Sequence, residues 1–375
     1  MSGLSAGETA GLSIQRADER VSLQLRELYH RHGYSPYRMS KFEEYDLYVR
    51  NKSFLVSSNI LTFTDTDGRL MALKPDVTLS IVKNTPDTAG ALQKVYYNEN
   101  VYRTSPAAVG YREIMQAGLE CIGELDLFAM GEVVALADES LSLISGDHLL
   151  DLSHMGFVAS LLDGLEENAR SALLSEIGHK NVPAIHSLCA RFGLPRALAQ
   201  RLGRLALVYG PPEDALPVLE EIAAGNGAAQ AALEEQRQLC RLLDAMGRGA
   251  HLRLDFSITG GMSYYNSVIF QGYLPGLASR VLAGGRYDNL LRRMGKSGSA
   301  IGFAVYLDQL DRLENCGNAY DVDVLLLYGR EDDPSAVAAR AEALMASGQS
   351  VRAARCAPPG LRYRRLERMA EGGGI

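Results

Sequence analysis

The segment EIMQAGLECIGE, Glu113 to Glu124, has the two-residue period of a β-strand that buries one face. Gln116 and Glu120 stand four apart within it. Side chains alternate across a strand, so this even spacing puts both on the same face. A glutamine and a glutamate side by side are either a solvent-facing polar stripe or part of a polar pocket.

Outward from this strand, other strands and helices can be read. On its N-terminal side lie SFLVSS, LTFTDTDG, RLMALKPD and KVYYNENVY, all strand-like. The Asp65 to Gly68 tetrad DTDG marks a hairpin turn. Helices are predicted over Ile14 to His32, from about Thr78 to Lys83, and over Phe128 to Ile144. HLLDLSH follows as a strand. Between about Leu165 and Gly247 the texture changes to Ala, Leu, Glu and Arg at helical spacing, broken at GLP, GPPED and GNG, which reads as an all-helical insertion. HLRLDFSI then alternates again, and the strands resume.

This order predicts an α+β fold, an antiparallel sheet flanked by helices and interrupted by a helical insertion. The expected organisation is a leader over residues 1–13, a main domain over 14–319 with the insertion at about 165–247, and a small α/β module over 320–375. The module opens on YDVDVLLLYGRE, a helix and SVRAAR; its last run, LRYRRLERMAEGGGI, reads as a solvated helix with a frayed tail.

The 375 residues are 47% hydrophobic and 22% charged, values of a globular protein with a sizeable core. Apolar runs such as VLLLY are strand-sized, so no membrane span is expected, and the N-terminus lacks the pattern of a signal peptide. The reading is cytoplasmic. A net charge of −7 argues against a long phosphate-backbone footprint. The five cysteines are scattered, with no C-x-x-C and no His/Cys cluster, so buried thiols are expected, with neither a disulfide framework nor a zinc site.

Familiar catalytic signatures fail on inspection. Gly295-Lys296-Ser297 lacks the glycine that a phosphate loop needs five residues earlier, where Leu290 stands, and reads as a polar turn. GNGAAQ follows a helix and gives no dinucleotide fingerprint. No H-E-x-x-H or G-x-S-x-G occurs. The histidines share no spacing; His148 and His154 flank one strand and are expected to cap or decorate it.

Four stretches in order carry a resemblance: LKPDVTL at Leu73 to Leu79, VYRTS with its strand EIMQAGLECIGE, SYYNSVIF, and AGGRYDNLLRRMG followed by AIGFAVYLDQL. Together they resemble the catalytic domain of histidyl-tRNA synthetase and its non-catalytic paralogue, the regulatory subunit of ATP phosphoribosyltransferase. The resemblance implies the class II synthetase sheet, self-association as a dimer, and a pocket for histidine. It assigns the ammonium group of histidine to Asp76 and Gln116, and the imidazole to Glu120 and Tyr264, with Thr78, Arg103 and Tyr265 beside them. Those residue types suit the ligand, because a buried ammonium needs a carboxylate and an imidazole needs a partner for each nitrogen.

The departures from the synthetases are equally informative. Active enzymes place arginines at three positions around ATP. Arg103 keeps one; Gly260 and Gln309 stand at the others, and Tyr306 replaces a glycine. Thr104 and Ser105 replace charged residues of the loop that engages ATP. Ser40 stands where a proline shapes the dimer strand. Losing two guanidiniums, each worth about 3 kcal/mol in stabilising transition-state charge, removes several orders of magnitude in rate. The module after residue 320 is about half the length of a synthetase anticodon-binding domain. The resemblance therefore implies a regulatory chain with no chemistry, cofactor or metal of its own and no nucleic acid. Its partner would be the short catalytic subunit of ATP phosphoribosyltransferase, in a hetero-octamer, with L-histidine as effector.

Overall fold

A computed structural model describes residues 17–51, 55, 60–86, 92–104, 110–260, 264–312 and 320–369. The leader, most of SFLVSS, residues 105–109, residues 261–263 and Cys316 lie outside the described residues. The chain forms two compact units, one spanning Asp18–Leu310 and one that contains the described residues 320–369.

The larger unit begins with α1 (Ala17–Arg31), β1 (Ser35–Pro36), β2 (Phe42–Glu44) and α2 (Tyr45–Arg50). Next come β3 (Thr62–Thr64), β4 (Leu70–Leu73), α3 (Thr78–Asn84), β5 (Gln93–Thr104), β6 (Tyr111–Gly123), α4 (Leu127–Ile144), β7 (Leu149–His154) and α5 (Met155–Leu161). Five helices follow: α6 (Glu167–Gly178), α7 (Val182–Arg191), α8 (Arg196–Ala206), α9 (Pro212–Ala223) and α10 (Gly227–Ala245), with β8 (Tyr209–Gly210) between the third and fourth. β9 (Leu252–Asp255), β10 (Val268–Tyr273), β11 (Leu282–Arg286), α11 (Asp288–Arg293) and β12 (Ser299–Tyr306) complete it.

Nine strands form one sheet in the order β1-β5-β6-β12-β11-β10-β7-β9-β8. Most pairings are antiparallel; β7 and β9 run parallel. The helical insertion explains that pair, since adjacent parallel strands need a long crossover between them. The insertion also differs from the all-helical expectation by contributing β8, which pairs with the end of β9.

The deciding strand is buried more deeply than its alternation predicts. From Gln116 to Ile122 every residue of β6 is buried, because both faces of the sheet are covered. On the back, α4 packs on β10 and β12, and Tyr29 of α1 meets Phe303 edge-on at 6.0 Å. The Tyr29 and Ser140 hydroxyls, 3.0 Å apart, tie α1 to α4. On the front, the unit's hydrophobic cluster gathers Val77, Leu79, Ile81 and Val82 of the α3 segment around Tyr97, Tyr287 and Leu290.

Short polar signals hold these elements in place. Asp65 Oδ1 accepts the Asp67 and Arg69 amides, and Gly68 takes φ 81°, which closes the β3–β4 hairpin. The Gly295-Lys296-Ser297 turn touches no phosphate-loop geometry. Lys296 Nζ donates to the carbonyls of Val82, Lys83 and Thr85, a cation on the C-terminus of α3.

The smaller unit is a parallel three-stranded sheet, β14 (Val351–Ala354), β13 (Val322–Leu327) and β15 (Tyr363–Arg368), with α12 (Pro334–Ala346) between the first two in sequence. The run from Tyr363 is thus a strand, not the expected helix. Pairing with β13 satisfies its backbone. Cys121, Cys189 and Cys240 are buried free thiols, whereas Cys356 is exposed. No helix among the described residues is long and apolar enough to cross a membrane.

Candidate functional site

A cavity of about 300 Å³ opens on the front of the sheet. Asp76, Thr78, Arg103, Gln116, Glu120, Tyr264 and Tyr265, the seven residues singled out from sequence, all line it. Four segments deliver them. Asp76 precedes α3 and accepts the Leu79 amide at 2.9 Å, while Thr78 opens that helix. Arg103 lies next to the end of β5, Gln116 and Glu120 share the front of β6, and the tyrosine pair precedes β10.

Glu120 is the floor. It is 2% exposed and accepts hydrogen bonds from Thr78 Oγ1 at 2.7 Å and Tyr287 Oη at 2.5 Å. Burial pushes its carboxyl up to about 8, against the pull of those two donors. Near neutral pH the group therefore holds or releases a proton readily, and can donate to or accept from a ring nitrogen. Asp76 is also raised by burial, opposed by Arg103 and by the amides at the start of α3. The Arg103 guanidinium donates to the Pro75 carbonyl at 2.7 Å and stands 3.7 Å from Asp76.

The register of β6 with β12 makes room for Glu120. It lies opposite Gly302, where a Cβ would stand 1.7 Å from Oε2. Gly285 plays the same part for the aromatic wall, since a Cβ there would lie 2.7 Å from the Tyr265 ring. Tyr264 meets Tyr265 edge-on at 4.5 Å and Tyr287, tilted, at 5.6 Å. Gln116 is 3% exposed, and its carboxamide nitrogen has no partner among the described residues. Leaving a buried amide unpaired costs about 1–3 kcal/mol, so the cavity is arranged for a polar guest.

Three further residues were not assigned a role from sequence. Tyr287 belongs to the GRYD motif, whose other members are internal ties. Arg286 Nε pairs with Asp288 at 2.9 Å, and Asp288 accepts from Asn266 and from the Ala300 amide. These bonds lock β10, β11 and β12 together and leave the tyrosine to reach Glu120. Tyr97 lies on β5 beside β6. Arg280, from the turn between β10 and β11, lines the cavity from its exposed side. Among the described residues its guanidinium has no ion pair or hydrogen bond. Nothing in its local sequence marks it.

The two positions that lack arginine behave differently. Gly260 lines the cavity, whereas Gln309 lies outside it, bonded to Ser279 and Asp308. Tyr306 occupies cavity wall opposite Gln116.

His154 is engaged on both ring nitrogens. Its Nδ1 accepts the Phe157 amide, so the proton sits on Nε2, which faces Glu235 at 3.2 Å and Ser267 Oγ at 3.3 Å. It ends β7 and caps α5, whereas its place beside the strand led one to expect a cap or decoration of the strand itself.

Residues 13–310 match the family model for histidyl-tRNA synthetase. The ATP phosphoribosyltransferase regulatory subunit of Syntrophotalea carbinolica is 30% identical over 332 residues, 85% of this chain and 77% of the relative. The chain belongs to the ATP phosphoribosyltransferase regulatory subunit family. Solved structures agree on the fold. An ATP phosphoribosyltransferase regulatory subunit/histidyl-tRNA synthetase from Bacillus halodurans C superposes with a TM-score of 0.75 at 24% identity, covering 98% of this chain and 96% of that one. A chain of the ATP phosphoribosyl transferase (HisG:HisZ) complex from Thermotoga maritima gives 0.61 at 19% identity, covering 78% of this chain and 98% of that one. Regulatory subunits thus share a synthetase-like sheet with this chain, and the cavity lies on its front.

Proposed function

We propose that this regulatory subunit binds L-histidine in the cavity and transmits its occupancy to a short catalytic subunit of ATP phosphoribosyltransferase, a glycosyltransferase, doing no chemistry itself. The observation that carries the reading is the buried Glu120, held by Thr78 and Tyr287 beneath an aromatic wall and beside the unpaired Gln116 amide. An imidazole stacked on the tyrosines presents a nitrogen to Glu120. The α-ammonium turns to the Asp76 carboxylate and the Gln116 carbonyl oxygen, while the unpaired Gln116 nitrogen donates to an acceptor on the ligand.

Arg280 completes the set. A free amino acid carries a carboxylate, which is best met by a forked guanidinium. Arg103 is engaged with Asp76 and Pro75, so Arg280 takes that group from the solvent side.

The partner follows from family membership and from the complex in which the Thermotoga maritima chain occurs. Binding histidine more tightly in one arrangement of the assembly than in another is sufficient for feedback, and the coupling is reciprocal. Aminoacylation is not expected: Gly260 and Gln309 supply no charge for ATP phosphates. Self-association is supported by exposed Phe42 and Leu70 on the small sheet that β2, β3 and β4 form. Calorimetry of the chain with histidine and with ATP tests the reading. Saturable histidine binding is expected; absence of any histidine heat sinks it.

A further inference from the structure

Asp138, His148 and His251 have no motif spacing, and the fold brings them together behind the sheet. Asp138 lies on α4, His148 just before β7, and His251 just before β9, where the chain returns from the helical insertion. One ligand atom from each lies within 4.8 Å of the others. His148 Nε2 is 2.9 Å from Asp138 Oδ1, and His251 Nδ1 is 3.8 Å from the same oxygen.

The hydrogen-bond chemistry of His148 asks for a cation. Its ring is buried, and Nδ1 faces the Ser145 carbonyl at 3.1 Å. A carbonyl only accepts, so Nδ1 carries a proton. In the neutral ring Nε2 then points a lone pair at a carboxylate oxygen, which also only accepts. Either a second ring proton or a metal ion must lie between them. A ring that donates its other N–H to a backbone carbonyl is the arrangement metal-binding histidines adopt.

His251 distinguishes the two. A second proton on His148 accounts for the Asp138 pair, and leaves His251 with only a long 3.8 Å approach to the same oxygen and a ring centroid 4.0 Å from that of His148. A metal uses all three. Bonds of about 2.0–2.1 Å in a tetrahedral site separate ligand atoms by roughly 3.3 Å, between the 2.9 and 3.8 Å found here. Arg248 approaches the opposite carboxylate oxygen, Asp138 Oδ2, at 3.7 Å and is anchored by Glu139 at 2.6 Å, which leaves Oδ1 to the ion. His251 is 39% exposed, so the fourth position opens to water.

We propose that Asp138, His148 and His251 form a zinc-class divalent metal site that fastens the return of the helical insertion to α4. The nitrogen and oxygen donor set suits zinc and, as a probe, cobalt(II). The site is separate from the cavity and independent of its ligand.

The test uses the untagged full-length chain, stripped by a chelator and titrated with zinc by calorimetry and with cobalt(II) by absorption. One equivalent is expected to bind at micromolar zinc, to give the visible bands of tetrahedral cobalt, and to raise the melting temperature. His251→Ala, a change at a partly exposed loop residue, should weaken binding roughly tenfold or more and abolish the thermal shift. His148→Gln should do the same if it folds. Zinc binding of equal affinity in His251→Ala, or no bound equivalent in the wild-type chain, would overturn the site.

Discussion

Glu120 and Gly302 face each other across the β6–β12 ladder, and the carboxylate occupies the space a side chain at 302 would take, with Oε2 1.7 Å from the ideal Cβ position. The obstacle is a side chain already fixed by two hydrogen bonds. Gly302→Ala therefore has to displace Glu120 or spread the strands, at about 1–3 kcal/mol. Urea unfolding should show that loss, together with weaker histidine binding. Unchanged values for both would mean that Glu120 is not held where the register puts it.

Glu120 also sets a pH dependence. Its folded carboxyl titrates at about 8, above its ordinary value of 4.5, because burial disfavours the charged form. A group raised in this way stabilises the fold fully below the unfolded value and loses that contribution as pH rises through the folded one. Wild type should therefore lose stability relative to Glu120→Gln between about pH 5 and pH 8. Parallel stability curves for the two proteins across that range would show that the carboxyl is not shifted.

How much of this was legible in the sequence depended on what each signal measures. Alternation and turn residues found most strands and the β3–β4 hairpin, because both are local. The pairing of Gln116 with Glu120 on one face followed from spacing alone. Alternation did not reveal that β6 is covered on both faces, since the helices on its back come from distant segments. The arginine-rich strand β15 was misread as a helix because its hydrogen bonds come from β13, not from its own sequence. Resemblance found the seven cavity residues, yet overlooked Arg280, which the turn between β10 and β11 delivers. The meeting of Asp138 with His148 and His251 is tertiary, and their spacing gives no hint of it.

Tyr287→Phe removes a donor to the Glu120 carboxylate. Hydrogen bonds to charged groups contribute about 1.5–3 kcal/mol, and those to neutral ones less. The variant should be destabilised more at pH 9 than at pH 6, and its Glu120 should titrate higher still. An equal loss at both values would reduce Tyr287 to a packing residue.

Arg280→Gln should separate histidine from histamine, which lacks the carboxylate. Loss of a charge-assisted contact predicts roughly tenfold weaker histidine binding, with histamine little changed. If both ligands weaken alike, Arg280 acts on the cavity as a whole. If neither does, the carboxylate lies elsewhere.

The most direct measurement is a phosphoribosyltransferase assay of the short catalytic subunit with and without this chain, titrated with histidine. The chain is predicted to stimulate turnover and histidine to suppress it, with Glu120→Gln requiring at least about tenfold more histidine for the same suppression. Absence of stimulation, or an identical inhibition curve with Glu120→Gln, would contradict the account.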